Sequence, residues 1–152
     1  MRRRYVIASI GLAIVLFLVV SALLARAFSV GDAEQAAITD LVRAEARGDT
    51  AGIVSLVDGC SADAACRARA ATLTATLRHP GAVRIAEINP SSTFSITSTL
   101  GTARVAWLAG ASRPRTQCVR VRHAGSVLQG FTVELLKVSR RIVTDAVCPK
   151  TF

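Results

Sequence analysis

At 152 residues the chain has room for about one domain and a short extra segment. Its formal charge of +9 is carried mainly by arginines beyond the first few residues, which suits nucleic acid, anionic lipid or an acidic partner. Aromatic residues make up only 5% of the sequence, too few for the stacking platforms of nucleic-acid binders, so nucleic acid is set aside.

The N-terminus carries Arg2, Arg3 and Arg4, followed by an uncharged run from Tyr5 to Ala25. Its centre, Val6 to Leu24, is almost entirely aliphatic and as a helix reaches roughly 29 Å, the hydrocarbon thickness of a bilayer. Three arginines before the run and only Arg26 close behind it predict a cytoplasmic N-terminus. Residues 1–27 therefore read as a basic tip and transmembrane signal-anchor, and 28–152 as an extracytoplasmic domain. Ala25-Arg26-Ala27 also offers a cleavage site before Phe28, but the apolar run exceeds an ordinary signal-peptide core. In both readings the remainder lies outside the cell membrane.

Beyond the apolar run the pattern turns helical. Asp32 with Gln35 suggests a helix start, and Ile38, Leu41 and Val42 form its apolar stripe up to Gly48. Asp49 or Thr50 caps a second helix carrying Ile53, Val54, Leu56 and Val57. A third begins near Ser61, with Cys66, Ala70, Leu73 and Leu77 on one face, and ends at His79-Pro80-Gly81. The period then changes to two. Alternation predicts strands around Val83–Ile85, Phe94–Ile96, Ala103–Trp107, Val119–Val121, Val127–Val138 and Arg141–Val147, with turns at Gly101, Pro114, Gly125 and Ser139-Arg140. Helices followed by a strand meander imply an α+β class: a transmembrane helix, then three helices packed on a curved antiparallel sheet.

Cys60, Cys66, Cys118 and Cys148 all follow the apolar run, and an even number in an exported domain predicts two disulfides. Cys60–Cys66 closes a small loop. Cys118–Cys148 ties down the tail, provided the chain before Pro149 curls over the sheet, because two strand spacings are about 9.6 Å. No C-x-x-C pair or histidine spacing supports a metal site, and no cofactor motif is present. Arg84, Arg104, Arg113, Arg115, Arg120 and Arg122 are expected to form a basic interaction patch on the outer sheet face.

The order of elements resembles the nuclear-transport-factor-2-like superfamily, the ketosteroid-isomerase-like or cystatin-like α+β cone. The likeness lies in Leu41-Val42-Arg43-Ala44-Glu45-Ala46-Arg47-Gly48-Asp49, at the end of the first domain helix, and in a closing hairpin from Thr132 to Val143. Ser139-Arg140-Arg141 stands where the family usually has Gly-Gly-Trp in the last turn. Membrane-anchored members, such as Mce-associated proteins of actinobacteria, act as scaffolds in envelope complexes. The resemblance thus implies a non-catalytic domain that binds another envelope protein, with a carrier of a small apolar ligand as the alternative.

An isomerase-like enzyme is the third reading. It needs an Asp base and a Tyr donor in the cone, whereas the one tyrosine is Tyr5, in the apolar run. Asp32, Asp40, Glu45, Asp49, Asp58 and Asp63 are expected on solvated helix faces or caps. Glu87 and Glu134 are expected on a solvated sheet face. His123, with no carboxylate near it in sequence, reads as a surface histidine, and Trp107 as core. No catalytic residue is nominated.

Overall fold

The computed structural model describes residues 2–91, 100–126, 130–143 and 146–152, without the side chains of 2–6, 8, 25–30, 124–126 and 130–131. The first element, α1 (Arg2–Arg47), is one unbroken helix of 46 residues. The expected helix start at Asp32 is therefore corrected, and the helix also runs through the proposed boundary at Ala27. The cause is local composition. A lone glycine, Gly31, costs about 1 kcal/mol relative to alanine, too little to break a proline-free helix with strong formers a few residues away on each side, from Ala22 to Ala27 and from Ala33 to Ala37. Among the described residues no helix is long and apolar enough to cross a membrane. The expected span includes Val6 and Ala8, whose side chains lie outside the described ones.

Gly48, at φ +76°, takes the left-handed conformation that ends α1. Asp49 then caps α2 (Thr50–Leu56), its Oδ1 accepting from the Gly52 amide at 2.8 Å. A short turn leads to α3 (Ala64–Leu77), capped by Asp63 rather than begun at Ser61. As expected, α3 buries Ala70, Leu73 and Leu77 and stops ahead of Pro80. Thr50 and Thr74 share a hydroxyl hydrogen bond of 2.8 Å that fastens α2 to α3.

Four strands follow: β1 (Val83–Asn89), β2 (Leu100–Ala109), β3 (Arg115–Ser126) and β4 (Gly130–Val138). They form an antiparallel meander in the order β1-β2-β3-β4, so the class is α+β. Alternation sends Ala103, Val105, Trp107, Val119 and Val121 inward, where they pack in one core with Ile38, Leu41 and Val42 of α1 and with Ile53, Leu73 and Leu77. Gly101 makes no turn; it lies within β2, opposite Val121. The expected strand at Phe94–Ile96 falls outside the described residues.

The end of the sheet also differs from expectation. The chain does not reverse at Ser139-Arg140, and no strand forms over the described part of 141–147. Instead Ser139 stays beside β3, its amide donating to the Cys118 carbonyl and its Oγ accepting from the Cys118 amide, each at 2.8 Å. Ile142 then pairs with Thr116 further along the same strand. Because these hydrogen bonds keep the segment on β3, the closing hairpin of the resemblance is absent. The tail returns across the outer face instead, where Arg120 donates to the Lys150 carbonyl and stacks on the Phe152 ring.

Candidate functional site

Both cysteine pairs stand at disulfide distance. The Cα atoms of Cys60 and Cys66 are 5.2 Å apart, and those of Cys118 and Cys148 are 5.7 Å apart. With no sixth strand on that edge, the returning tail meets Cys118 from above the sheet, and the two-strand separation does not arise. The tail also explains why Cys118, whose parity points outward, is fully buried.

Two glutamates of α1 point into the protein. Glu45 is completely buried, which corrects its expected solvated position. Its Oε1 accepts from Gln117 Nε2 at 3.2 Å, and Gln117 Oε1 in turn accepts from the Trp107 indole N–H at 2.8 Å. Glu45 Oε2 has no hydrogen-bond partner. Burial pushes the Glu45 carboxyl up to about 8, with the Gln117 hydrogen bond opposing the shift, so it is protonated near neutrality. This chain of polar groups, with Trp107, lies fully buried between α1 and the sheet.

Glu34, 2% exposed, anchors the other end of the same helix face. It accepts from the Ser91 amide at 2.8 Å, from Ser91 Oγ at 3.0 Å and from His123 Nε2 at 2.9 Å. His123 is thus partnered by a carboxylate 89 residues away and is no ordinary surface histidine. The residue types are those of a hydrolytic triad, but the geometry is not. Both Ser91 Oγ and Glu34 Oε2 address the same ring nitrogen, whereas a triad sets the carboxylate on Nδ1 and the hydroxyl on Nε2. The arrangement holds a buried carboxylate with three donors and does not activate the serine.

The six arginines of the expected patch are divided. Arg84, Arg104, Arg120 and Arg122 lie on the outer sheet face, and most have partners there. Arg104 lies 3.8 Å from Glu87. Arg122 bridges Glu134 and Asp58, with its Nε 2.6 Å from Glu134 and its Nη2 2.7 Å from Asp58. The Glu134 hydrogen bond, followed by its charge, raises the Arg122 pKa further above the ordinary arginine value. Arg113 and Arg115 belong instead to the β2–β3 turn region. Arg115 donates to the Leu77 carbonyl at 2.9 Å, and its guanidinium lies 5.5 Å from the Trp107 ring centre.

An open groove of about 440 Å³ runs between α3 and β4 beside Cys60–Cys66, with Ile53, Leu73 and Val138 among its apolar walls and Asp63 and Lys137 at its rim. Among the described residues no cluster of three or more His, Cys, Asp or Glu stands ready for a metal ion. Comparison with protein families, known proteins and solved structures finds no match to this chain.

Proposed function

We propose that the chain is a membrane-anchored extracytoplasmic interaction domain, working as a non-catalytic scaffold in a cell-envelope complex. One observation carries this reading: the described large apolar side chains in the first half of α1 are exposed, while its second half is the spine of the core. Ile10, Leu12, Ile14, Val15, Leu16, Phe17, Leu18, Val19, Val20, Leu23 and Leu24 are all more than half exposed. In water such a surface is a large unfavourable area, and the positive-inside bias orients it once it is in a bilayer. The two cysteine pairs at disulfide distance suit an oxidising compartment. The resemblance to the nuclear-transport-factor-2-like cone supports the scaffold role through its helix-then-meander order.

The full burial of Trp107, Gln117 and Glu45 favours this reading over the small-ligand carrier, which needs a cavity there. Native mass spectrometry of the full chain, isolated in mild detergent, tests the role. Stoichiometric protein partners are expected. A chain that emerges alone with a retained small molecule replaces the scaffold with the carrier.

A further inference from the structure

A row of hydrogen bonds draws four chain segments together at the end of the domain farthest from the apolar half of α1. The His79 amide donates to the Ala46 carbonyl at 3.0 Å, joining the end of α3 to the end of α1. Arg115 donates to Leu77, joining the start of β3 to the end of α3. The Gly110 amide donates to the Ala82 carbonyl at 3.1 Å, joining the β2–β3 turn to the approach to β1. Ile142 donates to Thr116 at 2.8 Å, bringing in the segment after β4. Each segment contributes arginine: Arg47 from α1, Arg78 after α3, Arg113 and Arg115 before and at the start of β3, and Arg140 and Arg141 after β4.

Among the described residues the opposing charge at this end is small. Asp49 caps α2 and sits 3.9 Å from Arg47, while Glu45 is buried inside. Arg78, Arg113, Arg140 and Arg141 are exposed, and no ion pair among the described residues involves them. The acid nearest to Arg141 in sequence, Asp145, lies outside the described residues. Like charges gathered with no counter-charge among the described residues repel one another, so this end gains when a partner brings carboxylates. All six cations are arginines, whose planar fork matches a carboxylate with two parallel hydrogen bonds.

We propose that this arginine cap is the docking surface for an acidic protein segment. The proposal rests on the scaffold reading and names the chemistry of its partner. The cap differs from the outer-face patch, where Glu87, Glu134 and Asp58 already answer the cations. Nucleic acid fits it less well, because no exposed aromatic stands at this end among the described residues; Trp107, under Arg115, is fully buried. From Leu24 to Arg47 the helix rises about 35 Å, so an anchored domain holds the cap well clear of the headgroups, where another protein can reach it.

Fluorescent poly-L-glutamate is the probe, titrated against the full chain in nonionic detergent. Wild-type protein binds it in a salt-sensitive manner. The quadruple variant Arg78→Glu, Arg113→Glu, Arg140→Glu, Arg141→Glu weakens binding at least ten-fold. A control variant, Arg84→Glu with Lys137→Glu, leaves it within about two-fold. The quadruple Arg→Gln set, gentler on folding, gives an intermediate loss, and both sets are compared at matched thermal transitions. Equal losses in cap and control variants overturn the proposal, as does no binding by the wild type or tighter binding of oligothymidylate than of polyglutamate. A chain recovered from the soluble fraction that still binds polyglutamate through the cap rejects the anchor and keeps the cap.

Discussion

Glu45 occupies a fully buried position with a single hydrogen-bond partner, so its carboxyl keeps a proton up to about pH 8, against 4.5 for an ordinary glutamate. Below 4.5 the folded and unfolded chains both hold that proton. Between 4.5 and 8 the unfolded chain has released it and the folded chain has not. Stability contributed by this group is therefore complete at low pH and falls as pH rises through the window, by up to about 1.4 kcal/mol per pH unit. Glu45→Gln keeps an oxygen for Gln117 to donate to and removes the titration. Urea unfolding across pH 5 to 8 is expected to show a flatter profile for the variant and a stability gain over wild type at pH 8. An unchanged slope contradicts the assignment. The position was legible in the sequence, because Ile38, Leu41, Val42 and Glu45 follow the i, i+3, i+4, i+7 pattern of one helix face. Residue type alone suggested a solvated acid; the stripe pointed inward. Glu34, four residues before Ile38, extends that stripe, but nothing local links it to Ser91 or His123. Only the sheet brings those together.

At the scale of elements, the apolar periods were readable wherever a strand or helix buries one face. The inward sets of β2 and β3 and the buried face of α3 are those the alternation and the helical spacing gave. The misread places are junctions. Asp32 carries the chemistry of a cap, yet the helix formers on both sides of Gly31 outweigh it. Ser139-Arg140 has the polarity of a turn, yet the paired hydrogen bonds to Cys118 hold the chain on β3, and that depends on contacts 21 residues apart. The tail owes its position over the outer face to Cys148, and the pair with Cys118 closes a loop of 30 residues. Replacing both cysteines with serine is expected to cost about 3 to 4 kcal/mol. It should also release the tail, so that hydrogen exchange speeds up at position 118 and Arg120, which the tail touches, before it does at Val105 or Trp107. Uniform acceleration across the sheet would show that the tail does not cover β3 selectively.

Over the whole molecule, α1 is both the exposed apolar rod and the spine of the core, so any orientation of the rod fixes the domain. With residues 5–25 in a bilayer, the Glu34–His123–Ser91 end lies about 15 Å along the helix beyond Leu24, and the arginine cap lies about 20 Å farther out. Within the described residues the native cysteines are all paired, so one introduced thiol reports the side of the membrane on its own. Ala51, exposed on α2 near the cap, is a suitable site. The most direct measurement labels the Ala51→Cys full chain with a membrane-impermeant maleimide in intact, wall-stripped cells, followed by carbonate extraction of the membranes. An anchored domain with an outward C-terminal part gives labelling without lysis and retention of the labelled chain in the carbonate-washed membrane. Labelling only after lysis, or release of the chain by carbonate, contradicts it.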